Sequence, residues 1–292
     1  MKARNVGIIM LIPALAIMLL FIVYPTALAI YYSFTDYNVV KGSINFIGAS
    51  NFVKLLSDYK LINSITRTLM FMALAVSLSM VTGIVMAVLI YECMLGRKIF
   101  ATLFILPLAI PYVIIGLAFK FMLSYDIGVI NYFLEVIGIG RVPFFGKPDL
   151  ALLATALVDS WPGSAFVFLV TLAGFESIPR RIVEAALIDG ASSFRLYMHV
   201  LFPMIKRFLV IALLFRLLDS FKAFDHIYMM TAGGPGEATQ YISIYITKTS
   251  FDYFNLGYAC ALAIVILLAL SLLAQALIKM LGLQKLRTTG WR

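Results

Sequence analysis

The sequence predicts an all-α integral membrane protein with six transmembrane helices. Three observations predict it: a composition short of charge, apolar runs long enough to cross a bilayer, and basic residues gathered on alternate loops. Of the 292 residues, 63% are hydrophobic and only 13% are charged. A soluble domain is about half apolar and about a quarter charged. Too few charges remain here to cover a water-facing surface, so the surrounding medium is largely lipid.

Charge-free runs occupy residues 5–35, 68–91, 99–119 and 253–278. Each reaches the roughly 20 residues that cross a ~30 Å hydrocarbon core as a helix. A fifth run, 150–175, is interrupted only by Asp159, and a sixth, 208–232, carries Arg216, Asp219, Lys222 and Asp225. Backbone hydrogen bonding in lipid leaves helix as the conformation for such segments. The expected helices cover about 6–33, 64–91, 99–124, 150–175, 207–232 and 253–280 of a single transmembrane domain, 1–292. Lys2 and Arg4 precede the first run and Ala27-Leu28-Ala29 resembles a peptidase site, but the apolar stretch is about twice a signal's about 7–15 residues. It is read as a retained helix.

Basic residues set the orientation, because loops rich in Lys and Arg stay in the cytoplasm. With both termini inside, thirteen basic residues lie on inner segments and seven on outer ones. The net charge of +9 therefore reads as a topology signal and not as a nucleic-acid surface. Cys93 and Cys260 fall in opposite halves of the bilayer, too far apart for a disulfide. The apolar stretch 127–139 is too short to span and reads as an interfacial or re-entrant helix. Ala75, Ser79, Gly83 and Ala87 make a stripe of small residues on the second helix, a surface for close approach of another helix.

The largest inner loop, 176–206, carries the clearest pattern. Ser177 and Pro179 suit the start of a helix. Ile182, Ala185, Ala186 and Leu187 give it an apolar face, and Gly190 ends it. A short amphipathic helix with acidic Glu184 and Asp189 in a basic loop fits docking into a partner's groove. Glu184-Ala185-Ala186, three residues, Gly190, nine residues, then Val200-Leu201-Phe202-Pro203 resembles the EAA loop of bacterial ABC-importer permeases. Val200 and Phe202 depart from the usual Ile and Leu of that pattern, and both stay apolar.

Ile12-Pro13 through Tyr24-Pro25, Ser33-Phe34-Thr35, Asn51-Phe52, the stretch from Phe221 to Tyr228, and Thr231-Ala232-Gly233-Gly234-Pro235-Gly236 are similar to the carbohydrate branch, in particular to the first permease of maltose- and glycerol-phosphate-type systems. The resemblance implies a type I importer permease fold in a bacterial inner membrane, with Glu184, Ala185, Ala186, Asp189, Gly190 and Pro203 at the joint to an ATPase. It also implies the partners: a second, related permease, two copies of an ATP-binding cassette ATPase, and an extracytoplasmic solute-binding protein. ATP and magnesium belong to the ATPase, and this chain is expected to hold no cofactor or metal and to catalyse no reaction.

Within the membrane, Arg216, Asp219, Lys222 and Asp225 recur at steps of three, so that Arg216–Asp219 and Lys222–Asp225 are expected to pair along one face. Each costs about 2.5–3.5 kcal/mol at mid-bilayer if left alone, so the face looks at protein or at a watery path. Asp159, with Trp161 and the helix-bending Pro162 beside it, marks a similar spot on the fourth helix. Asp159, Trp161, Asp219, Lys222 and Asp225 are the candidates for the solute path. The nearest approach to a phosphate loop, Gly140 to Gly146-Lys147-Pro148, has one residue too many and a proline where magnesium needs a hydroxyl. An ion-coupled secondary transporter is the rival reading, but two related halves, its common signature, are not visible in the sequence.

Overall fold

A computed structural model describes residues 3–92 and 96–280. Among these there is no strand; Thr35 and Phe46 form an isolated antiparallel bridge. The described residues make two compact units, one of residues 3–62 with 245–273, the other of residues 63–92 and 96–244 with 274–280.

The first unit begins with α1 (Ala3–Met18), a π-helical segment Leu19–Val23 and α2 (Tyr24–Ser33), which follow one another without a break. Leu19, Phe21 and Ile22 expose 58%, 70% and 59% of their surface, an arrangement stable only where the surroundings are themselves apolar. The last carbonyls of a helix lack internal partners. Here Asn51, buried on α3 (Ser50–Leu55), donates its amide to the Ser33 and Thr35 carbonyls at 3.0 and 2.8 Å and closes the end of α2. Asp58 opens α4 (Tyr59–Glu92): one carboxylate oxygen accepts from the Lys60 and Leu61 amides, and the other accepts from the hydroxyls of Tyr245 and Tyr258.

The second unit is built around α8 (Pro148–Glu176), the most buried of the long helices. It packs against α11 (Phe202–Phe221) and α5 (Arg97–Ile105). Between α5 and α8 lie α6 (Tyr112–Met122) and α7 (Val129–Val136); between α8 and α11 lie α9 (Arg180–Ile188) and α10 (Ser193–Arg195). After α11 come α12 (Asp225–Thr231), α13 (Ile242–Phe251) and α14 (Leu256–Met280). Ala75, Ser79 and Ala87 of the small-residue stripe are fully buried, and Ala75 and Ala87 sit in clusters with Ala156 and with Phe168 and Leu172 of α8. The stripe packs α4 against its own neighbours. The stretch 127–139 does hold a short helix, α7, whose Tyr132, Phe133 and Val136 are exposed.

Among the described residues, four helices are long and apolar enough to cross a bilayer: Leu11–Ser33, Tyr59–Glu92, Pro148–Glu176 and Leu256–Ala276. Two expected spans differ from the sequence reading. The third, 99–124, is two helices bent by 97°. Pro107 and Pro111 explain the break: a residue before proline is pushed out of the helical region, and Ile110 is extended at ψ 126°. The sixth-ranked run, 207–232, begins earlier, at Phe202, and breaks at residues 222–224 before α12 resumes. Neither Gly nor Pro marks that second break. A tertiary contact holds it instead, with the Ser243 hydroxyl donating to the Ala223 carbonyl at 2.5 Å. The expected helix-bending proline leaves no interruption, since α8 runs through Pro162. Cys93 lies outside the described residues, and Cys260 is a free thiol on α14.

Candidate functional site

The break between α11 and α12 creates a polar cavity of about 360 Å3, lined by Tyr112, Asp159, Asp219, Lys222, Ala223, Phe224, Asp225 and His226. Its frame is electrostatic. Arg216, only 1% exposed, projects from α11 and sets Nη2 2.5 Å from Asp159 Oδ2 on α8. The same nitrogen donates to the Ser220 hydroxyl at 3.0 Å, and Nη1 lies 3.3 Å from Asp219 Oδ2. His226 Nε2 approaches Asp159 Oδ1 at 3.3 Å. The slot for the guanidinium exists because position 163 lacks a side chain: a Cβ at Gly163 would stand 2.5 Å from Arg216 Cζ. A buried charge that loses its partner costs several kcal/mol, so this pair pins α8 to α11.

The other wall comes from α6. Gly116 lets the backbones of α6 and α12 touch, since a Cβ there would lie 2.6 Å from His226 Cα. That approach brings Tyr112 over His226, with ring centroids 5.1 Å apart, and its hydroxyl to Asp219 at 3.4 Å. Tyr112, Asp219 and Lys222 also line a second, more apolar cavity of about 370 Å3 with Phe166 and Phe215.

Four of the five residues expected on a solute path, Asp159, Asp219, Lys222 and Asp225, meet in the first cavity. Trp161 does not: two residues on from Asp159, it faces another side of α8. There it is 41% exposed, packs edge-on against Phe119 and borders an apolar groove with Val85 and Met86. The expected pairing along 216–225 holds for Arg216 with Asp219 but not for Lys222 with Asp225. Because the helix breaks after Phe221, Lys222 Nζ turns back to Asp219 Oδ1 at 3.5 Å. Asp225 starts α12 and has no ion pair among the described residues. The sequence reading assigned no part in the path to Tyr112 or His226. The aromatic immediately after Pro111, at a helix start beside a charged span, was the available signal for Tyr112.

At the other end of α8, α9 lies over a cluster of Phe168, Phe175, Tyr197 and Leu201, with Ile182, Val183 and Ala186 facing inward. Glu184, Ala185 and Asp189 face outward, as do Leu187 and Ile188, which are 53% and 86% exposed. Pro179 precedes the helix, and Ser177 does not cap it, because the Ser177 hydroxyl donates back to the Gly174 carbonyl at 2.7 Å. Gly190 follows at φ +79° with open space around a would-be Cβ. It is a left-handed helix stop, sealed by the Ala191 amide donating to the Ala186 carbonyl at 3.0 Å. Pro203 is exposed in the first turn of α11. A groove of about 740 Å3 runs beside α9 between Tyr91, Arg97, Glu176, Arg180 and Glu184. Arg97 braces it, 2.6 Å from Glu176 and stacked over the Tyr91 ring.

Comparison with known proteins places these features in context. Residues 79–283 match the family described as binding-protein-dependent transport system inner membrane component. The trehalose/maltose transport system permease protein MalF of Thermococcus litoralis is 33% identical over 91% of this chain and 89% of its own. The sulfoquinovosyl glycerol transport system permease protein SmoG of Agrobacterium fabrum is 32% identical over 94% of this chain and 89% of its own. A chain in the crystal structure of a bacterial alginate ABC transporter, in complex with its pentasaccharide-bound periplasmic protein, superposes with a TM-score of 0.83. It is 26% identical, over 96% of both chains.

Proposed function

The chain belongs to the family of binding-protein-dependent transport system inner membrane components, and on that premise we propose that it is a permease subunit of an ATP-driven importer for a sugar, oligosaccharide or polyol, or for a sugar or glycerol phosphate. The relatives named for trehalose/maltose and sulfoquinovosyl glycerol transport support the carbohydrate branch. In this reading the solute arrives from an external binding protein and passes beside Asp159, Asp219, Lys222 and Asp225, with Tyr112 and His226 completing the wall.

One observation carries the assignment of the energy source to another chain. α9 presents Glu184, Ala185, Leu187 and Ile188 outward and ends at the left-handed Gly190. An exposed helix carrying apolar residues, seated on a firm core, is the helix-in-groove mode of recognition. The partners are two ATPase copies, one of them docking there on the cytoplasmic side, and a second, related permease completing the path. Glu184→Lys and Gly190→Asp are each expected to leave the chain inserted while ATPase co-purification and solute uptake fall together. Normal values of both in the Gly190→Asp variant overturn the assignment.

A further inference from the structure

Carbohydrates reach membranes both uncharged and as acids, and the cavity at the helix break distinguishes them. We infer that it selects against negative charge, so that the solute passing this chain is an uncharged polyhydroxylated compound. The inference rests on the carbohydrate-permease reading and adds the charge class to it.

Three carboxylates, Asp159, Asp219 and Asp225, line the cavity with Lys222 and His226, and the His226 ring is buried and turned to Asp159 at 3.3 Å. Arg216 adds a second cation behind the wall, but its guanidinium is 1% exposed and already shared between Asp159 and Asp219. Turning it to a ligand would strip Asp159 of its buried partner. Lys222 is matched by Asp219 at 3.5 Å. Asp225 is exposed and has no ion pair among the described residues.

Asp159, Arg216 and His226 are buried against one another and Lys222 is matched by Asp219, so the charge left open to a ligand is the Asp225 carboxylate, a hydrogen-bond acceptor. Ionised carboxylates only accept, and a sugar hydroxyl donates to them. Lys222 can donate in return to ring and hydroxyl oxygens. A uronate or sulfonate group would enter the same volume as Asp219 and Asp225 with like charge, and in a partly dehydrated cavity that repulsion is weakly screened. The volume, about 360 Å3, falls at the lower end of the about 300–1,000 Å3 found for small-molecule sites.

Ala223 lies in the lining and offers a reporter that bypasses the selectivity of the binding protein. In the assembled transporter without its binding protein, carrying Ala223→Cys with Cys93→Ser and Cys260→Ser, the rate of alkylation by uncharged N-ethylmaleimide is measured. Trehalose, a disaccharide of uronic acids and glucosamine are added in turn. Trehalose is expected to slow alkylation at least about fivefold at several times its dissociation constant, and the acidic disaccharide to leave it unchanged. Adding Asp225→Lys is expected to raise protection by the acid roughly tenfold. Equal protection by trehalose and the acid overturns the inference and leaves the carbohydrate reading standing. Protection by glucosamine alone overturns the uncharged assignment. Protection by none, with no sugar uptake by the complete transporter, overturns both.

Discussion

Asp58 shows how one side chain can hold a junction of the chain and tie it to pH. Burial opposes its ionisation, but hydroxyls from Tyr245 and Tyr258 and the Leu61 and Lys60 amides outweigh that and hold its pKa below the ordinary carboxylate value. A carboxyl depressed in the folded state stabilises the fold above its unfolded pKa of about 3.9. That stability is lost as pH falls through the lower folded value. Thermal melting between pH 7 and pH 3 should therefore show Asp58→Asn less stable than the parent at pH 7, with the gap narrowing towards pH 3. A constant gap would mean that packing alone explains the residue. Gly190 belongs to the same scale. Its place at a helix end was legible from sequence, because a glycine after an apolar helical face is a common stop signal. Its open surroundings were not legible: the residue serves its own backbone, and any close contact must come from a docked partner.

At the level of helices, legibility followed the local chemistry. The bend after α5 was written in Pro107 and Pro111, and a run of hydropathy alone conceals it. The break at 222–224 has no such mark. The Ala223 carbonyl within it is taken up by Ser243, distant in sequence, and it is this break that reassigns Lys222 to Asp219 and frees Asp225. The charges themselves were readable, because four ionisable groups in one apolar run cannot face lipid; their partners were not, since Asp159 lies 57 residues from Arg216. The pairing makes a prediction about helix packing. Asp159→Asn, which leaves Arg216 buried without its counter-charge, is expected to destabilise the protein by about 3–5 kcal/mol. That loss reads out as a lower yield of monodisperse protein in detergent. The double variant Asp159→Leu with Arg216→Met removes both charges and should recover the yield without recovering uptake. Recovery of transport as well would show that the pair serves only packing.

For the molecule as a whole, the distribution of Lys and Arg makes an orientation that labelling can check. A cysteine at Ser192 is expected to react only with reagents admitted to the cytoplasm, and one at Gly236 only with impermeant reagents outside. The reverse pattern would invert the topology and remove α9 from the reach of an ATPase. One continuous element also joins the loop of α9 to the cavity wall. α10, the π-helical segment Leu196–Leu201 and α11 follow one another without interruption from Ser193 to Phe221. At 1.5 Å per residue that rod is about 43 Å long. Its first turn adjoins Gly190, and its last abuts Lys222 and the cavity wall. A stiff rod pivoting near its middle behaves as a seesaw, and a tilt of about 5° carries its two ends roughly 2 Å in opposite directions. Whatever seats itself against α9 thereby has its hand on the far end, where Asp219 and Lys222 stand.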